Sequence, residues 1–183
     1  EKFHFGKPHI TYFAELLAYL GWPDGSVVMV GNDLDMDILP ADKFGLPTFW
    51  VTKQDDSRVE NLLMPNDRGD FTRLIHWLDQ QSDHTLQPDL NTPAAWLATL
   101  RSTPAALGSL CKDFNGRQWT NHPQPEEWCP AEIICHLRDV DIEVNLPRLK
   151  KILAEDHPFL PGMDTDRWIE ERQYHYQDGP QAL

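Results

Sequence analysis

The stretch that most constrains this chain is GSVVMVGNDLDMDI, residues 25–38. Val27, Val28, Met29 and Val30 form a continuous apolar run that ends at Gly31. Asp33, Asp35 and Asp37 then follow within five positions. A run without alternation predicts a strand covered on both faces, as in a parallel sheet. Parallel strands need crossover helices, and the neighbouring sequence supplies them. ITYFAELLAYL, residues 10–20, places Ile10, Phe13, Leu16, Leu17 and Leu20 on one helical stripe, with Gly21 and Pro23 as stop signals. A second helix is expected from about Asp35 to Phe44, closed by Gly45, and PTFWVT, residues 47–52, reads as the next strand. The order is α/β, with strand 27–31 expected at the centre of the sheet and the aspartates at its carboxyl end. Ligands gather at that end of open parallel sheets.

The grammar changes further on. Residues 53–70 read as polar loop, DFTRLIHWLDQQ as helix, and SDHTLQPDLNTP, residues 82–93, as an interdomain linker. No strand pattern follows residue 52. TPAAWLATLRSTPAALGSLCKDF has helical period, and Pro104 is expected to kink or split it. CPAEIICHLRDVDIEVNLPRLKKILAED reads as a long helix with Pro130 in its first turn and a kink at Pro147; Ile133, Leu137, Val140, Val144 and Ile152 mark its expected buried side. The chain thus divides into an α/β segment over 1–80, a linker over 81–92 and an all-α segment over 93–183.

Composition narrows the function classes. The net charge is −13, with −6 on residues 1–80 and −7 on 81–183. Neither half is basic, which argues against nucleic acid and against anionic membrane surfaces as partners. Three cysteines, an odd number without paired spacing, point to a reduced, cytoplasmic setting, and no apolar run is long enough to span a bilayer. The opening EKFHFGKPH, without an initial Met, reads like the middle of a longer protein.

Two groups of residues carry candidate chemistry. Asp33 and Asp37 come together if the turn between them is helical, and with Asn32 they form a hard oxygen site of the kind Mg²⁺ accepts. A cation there removes the repulsion between the carboxylates. Lys7, directly before the first helix, is placed to hold a phosphate by charge. Asp33 or Asp35 serves equally well as a helix cap. In the second group His136, Asp139 and Glu143 share a helix face, the start of a metal site in a bundle or a set of solvated side chains. Cys129 and Cys135 flank the start of that helix without any zinc-motif spacing.

Residues 5–51 resemble the C-terminal half of the haloacid dehalogenase-like (HAD) phosphohydrolases. GKP with ITYFAELLAYLG is similar to the family's lysine motif and its helix, VVMVGNDLDMDI to its acidic metal-binding motif, and GLPTFWV to the strand that follows. The resemblance implies a partial Rossmannoid parallel sheet, a small phosphorylated metabolite as substrate, Lys7 steadying the phosphoryl group, and Asp33 with Asp37 holding Mg²⁺. Asn32 stands where many members carry Asp. The family's nucleophile motif, DxDx(T/V), precedes the lysine, and the six residues before Lys7 do not contain it.

Residues 93–175 resemble the first part of a DinB-like four-helix bundle, on W-x-P-AEIICHLRDVD and PRLKKILAEDHPFLPGMDTDRW. That resemblance implies His136 as a ligand for Zn²⁺ or Ni²⁺, with the family's other His ligands on a later helix. His157 and His175 do not stand in the expected motif. The leading expectation is Mg²⁺-dependent phosphoryl hydrolysis by the complete protein. The alternatives are a non-catalytic metal-binding or interaction module and a DinB-like metal- or thiol-dependent transferase. A homo-oligomer is compatible with all three.

Overall fold

The computed structural model describes residues 3–53 and 67–183. Most of the polar loop expected over 53–70 therefore lies outside the described residues. The chain forms two compact units, Glu1–Leu110 and Cys111–Leu183.

The first unit is built on a small parallel sheet. Strand β1 (Met29–Gly31) pairs with β2 (Thr48–Val51) in the register Met29 to Thr48, Val30 to Phe49 and Gly31 to Trp50. A third strand, β3 (Arg68–Gly69), pairs with the far side of β2. The order is β1-β2-β3, all parallel. This corrects two expectations. A strand does follow residue 52, but two residues carry no periodicity that a sequence could display. And among the described residues β2 is central while β1 lies at an edge.

Helix α1 (Ile10–Tyr19) and helix α2 (Leu39–Phe44) pack on the sheet. Phe13, Ala14 and Leu17 of α1 meet Ala41, Phe44 and Leu46 in a core that also takes in Ala95 and Ala98. Leu20, expected on the buried stripe, is 55% exposed, because α1 ends at Tyr19 before that position turns inward. A second small core joins Leu34, Ile38 and Trp50. Gly45 closes α2 at φ 105°, and a Cβ there would sit 1.9 Å from the Asp89 carbonyl oxygen. Only glycine suits this position, on backbone conformation and on space.

Helix α3 (Phe71–Gln80), capped by Asp70, follows β3. The segment 82–93, expected as an interdomain linker, makes backbone hydrogen bonds within the first unit. Val27 N–H donates to the Leu86 carbonyl at 3.0 Å and Asp89 N–H to the Gly45 carbonyl at 2.8 Å, with Leu86 itself buried. Helix α4 (Pro93–Cys111) runs unbroken through Pro104. The hydroxyls of Ser102 and Thr103 both donate to the Thr99 carbonyl just ahead of the proline, a local back-bond that bends a helix without ending it. Since Ala95 and Ala98 complete the α1–α2 core, most of α4 belongs with the α/β unit.

The second unit is wholly helical. Helix α5 (Gly116–Trp119) is capped by Asn115. Helix α6 (Pro130–Val140) passes through a π-type turn (Asp141–Asn145) into helix α7 (Leu146–Ala154). Pro147 has no N–H and its ring crowds the carbonyl one turn back. The wider turn just before it absorbs both demands. Helix α8 (Trp168–Glu171), a 3₁₀ turn (Tyr174–Tyr176) and helix α9 (Gly179–Ala182) return over α6. They cover its Ala131, Ile134, Cys135 and Asp139 side. The buried side is therefore not the expected one: Val144 is buried, but Ile133, Leu137 and Ile152 are exposed. The widened turn also breaks the 3.6-residue period that would have aligned α6 with α7. No described helix is long and apolar enough to cross a membrane.

Candidate functional site

In the first unit Lys7 and Asp37, thirty residues apart, meet at the carboxyl end of β1. Lys7 Nζ donates to Asp37 Oδ1 at 2.5 Å. Each arrives by a local cause. The segment before Lys7 is anchored by Glu15 of α1, a carboxylate 2% exposed that accepts from the backbone N–H of His4 at 2.9 Å and of Phe5 at 3.0 Å. Burial alone would push the Glu15 carboxyl up, but these hydrogen bonds together outweigh it and its pKa is lowered. His9 caps α1, its Nδ1 accepting from Thr11 N–H.

Asp37 is placed by the π-type turn Leu34–Ile38, whose Leu34 and Ile38 are pulled into the core beside Trp50. The turn folds Asp37 back over the end of β1. A Cβ on Gly31 would lie 2.5 Å from Asp37 Cβ, so the strand ends in glycine because the carboxylate occupies that space. Asp37 is 7% exposed. Its second oxygen faces Asp33 N–H at 3.4 Å.

Asp33 takes the capping role that the sequence allowed. Its Oδ1 caps the turn, accepting from Asp35 N–H at 3.1 Å and Met36 N–H at 3.0 Å. Its Oδ2 makes no hydrogen bond among the described residues, and the side chain is exposed. Asp35 and Asn32 are also exposed, and the Asn32 carbonyl accepts from Trp50 Nε1 at 3.2 Å. The end of β1 thus gathers two carboxylates, Asp33 and Asp37, around one ammonium. The hydrogen bond to Asp37 raises the Lys7 pKa, against a smaller opposing effect of burial, so Lys7 stays cationic with further N–H donors to offer. A surplus of hard oxygens, one of them without a partner, fits a hydrated divalent cation such as Mg²⁺, which keeps several of its waters.

The second predicted group is arranged differently. Asp139 and Glu143 do share a face, and that face is filled by arginine. Arg172 Nη1 donates to Asp139 Oδ2 at 2.7 Å and to Glu143 Oε1 at 2.6 Å, while Nη2 donates to Glu143 Oε2 at 2.8 Å. Arg138 Nε donates to Asp139 Oδ1 at 2.7 Å and the Tyr174 hydroxyl to Asp139 Oδ2 at 2.9 Å. Burial pushes the Asp139 carboxyl up, but the three donors together overcome it and hold the group at about 2. Burial, then the bond to Asp139, pushes the Tyr174 hydroxyl up to about 12. His136 stands apart. Its ring packs edge-on against Trp128, centroids 4.9 Å apart, and its buried Nδ1 has no hydrogen-bond partner among the described residues. The one group of three or more ligand-type side chains that converges among the described residues is His122, Cys129, Glu132 and His175, and it does not include His136. Sequence reasoning missed that group because its members come from a loop, a first helical turn and a segment more than forty residues later.

Residues 4–73 match the model of the family described as HAD-hydrolase-like. The match spans Lys7, β1, Asp33 and Asp37, and it covers the lysine and acidic motifs of the resemblance above. No curated protein and no solved structure matches the chain.

Proposed function

We propose that the first unit carries the lysine and acidic half of a Mg²⁺-dependent phosphoester hydrolase site, acting on a small phosphorylated metabolite. The observation that carries the reading is the meeting of Lys7 and Asp37 at the carboxyl end of β1, beside the partly free carboxylate of Asp33. Asp33 and Asp37 would hold Mg²⁺, which supplies charge neutralisation and orientation at a phosphoryl group. Asp37 fixes the Lys7 ammonium at the strand end. Lys7 directs its remaining N–H donors outward, where they stabilise phosphoryl oxygens as charge develops on them. Trp50, donating to the Asn32 carbonyl, holds the loop between strand and turn.

These 183 residues do not contain the expected nucleophilic carboxylate. The edge of β1 away from β2 pairs with no other strand among the described residues. The second unit is read as a DinB-like helical segment. The succession of α6 and α7 around Pro147 supports this, whereas the packing of His136 adds no second ligand to it.

The test is hydrolysis of p-nitrophenyl phosphate by the protein encoded by the complete reading frame. Activity should require Mg²⁺, and Lys7→Ala and Asp37→Ala should each lower kcat by about 100-fold or more. The 183-residue chain alone should show no turnover. Activity that survives both substitutions, or sustained turnover by the short chain, would overturn the reading.

A further inference from the structure

Four side chains in the helical unit converge without serving the site described above. His122 lies in the loop after α5, Cys129 stands immediately before α6, Glu132 is in the first turn of α6, and His175 is in the 3₁₀ turn 174–176. One ligand atom from each lies within 4.8 Å of all the others. His122 Nε2 is 3.3 Å from His175 Nδ1, and Cys129 Sγ is 4.0 Å from the same nitrogen. Glu132 Oε1 is 4.0 Å from His175 Nδ1. We propose that His122, Cys129, Glu132 and His175 form a binding site for a divalent transition metal of the zinc class.

Three arguments support it. The first is spacing. A tetrahedral ion with bonds of about 2.0–2.3 Å holds its ligand atoms roughly 3.3–3.8 Å apart. The separations, from 3.3 Å to at most 4.8 Å, reach that range by contractions of no more than about 1 Å toward a common centre. The second is the hydrogen bonding behind the ligands. His122 Nδ1 is 2.7 Å from the Glu127 carbonyl oxygen. A carbonyl only accepts, so Nδ1 carries the proton and Nε2 presents its lone pair to the cluster. This is the outer arrangement that fixes the tautomer of a metal-bound imidazole. Cys129 N–H donates to Glu132 Oε2 at 2.8 Å and so orients the carboxylate.

The third argument is charge and donor type. Two imidazoles and a thiol favour a zinc-class ion over Mg²⁺. With Cys129 as thiolate and Glu132 ionised, the two negative charges cancel those of the ion. Cys129 and Glu132 are buried, at 0% and 8% exposure. Burial raises the thiol pKa in the metal-free chain, and a bound cation reverses that preference. On binding, the Cys129 S–H bond gives its proton to solvent and the sulfur lone pair goes to the metal. The proton on His175 Nδ1 moves to Nε2, which turns the second imidazole lone pair inward. In the metal-free chain the two stacked rings, 5.3 Å apart, share the ordinary hydrogen bond between His175 and His122.

The test is titration of the 183-residue chain with Co²⁺ and then Zn²⁺. One equivalent of Co²⁺ should produce the intense visible bands of four-coordinate cobalt and a thiolate charge-transfer band. Zn²⁺ should displace both, and near neutral pH about one proton should be released from the thiol per metal bound. Cys129→Ser should abolish the charge-transfer band yet retain a good helix cap. His175→Gln should weaken binding by more than about 100-fold, beyond the loss typical of an outer-shell change. His136→Ala should bind as the unsubstituted chain does. Circular dichroism confirms that each variant keeps its helices. The proposal is overturned if no thiolate–cobalt band forms, if Cys129→Ser and His175→Gln bind as tightly as the parent, or if His136→Ala is the substitution that removes binding.

Discussion

The two units each contain a pair of acids four residues apart, and they treat them in opposite ways. Around Asp33 and Asp37 there are those two carboxylates and one ammonium, with one Asp33 oxygen free of hydrogen bonds among the described residues. Around Asp139 and Glu143 there are two carboxylates, two guanidinium groups and a tyrosine hydroxyl. The second pair is neutralised from within the fold. The first is left negative, at the end of a parallel strand. Acid spacing alone does not separate a structural network from a ligand site. The balance of charge around the acids does, since a surplus that the fold leaves uncompensated is available to a cation.

If the second cluster is structural, removing its centre should be costly. Asp139→Ala leaves Arg138, Arg172 and the Tyr174 hydroxyl facing a buried gap. The loss should be about 3 kcal/mol, in the range seen when one partner of a buried charge network is deleted. It should appear as a lowered urea midpoint with an unchanged slope. A loss below about 1 kcal/mol would mean that the network is only a surface feature.

The same network should fail in acid. Asp139 is held at about 2, below its ordinary value of 3.8. A carboxyl depressed in the folded state contributes stability that is present above its unfolded pKa and is lost as pH falls through the folded one. The contribution of ionised Asp139, roughly 2 kcal/mol, should therefore be complete above pH 4 and vanish toward pH 2. The stability gap between the parent and Asp139→Ala, followed by urea unfolding, should narrow across that interval. A gap independent of pH would place the cost of the substitution in lost packing instead.

Much of the first unit was legible because its causes are local. The run from Val27 to Gly31, the stop at Gly45 and the strand through Phe49 and Trp50 are set by neighbouring residues. Lys7 and Asp37, singled out separately, do meet. What escaped the sequence depends on distant partners. The β3 strand is two residues whose only signal is β2 beside them. The segment 82–93 is as polar as a linker, yet Leu86 and the Asp89 backbone tie it to Val27 and Gly45. On α6 the apolar residues Ile133 and Leu137 predicted one buried face, and the returning chain through Tyr174 covers another. His122 and His175 give no hint of each other, because nothing short of the fold brings a loop and a late turn together.

The smallest expected effect is the sharpest discriminator between the two clusters. Asp33→Asn removes one negative charge from the end of β1 and retains a side-chain oxygen to accept from Asp35 N–H and Met36 N–H. Asn caps a helical turn about as well as Asp does. Without metal, the loss of favourable charge at the start of the turn and the relief of repulsion from Asp35 and Asp37 oppose each other, each worth less than about 1 kcal/mol. The stability of the chain should therefore change by no more than about 0.5 kcal/mol, the ordinary range for an exposed position. Added Mg²⁺ is the second half of the test. If the carboxylate surplus is a cation site, millimolar Mg²⁺ should raise the melting temperature of the parent and leave Asp33→Asn where it was, since a ligand stabilises only what it binds. Equal responses of parent and variant would make the two clusters alike, each a set of caps and ion pairs internal to the fold.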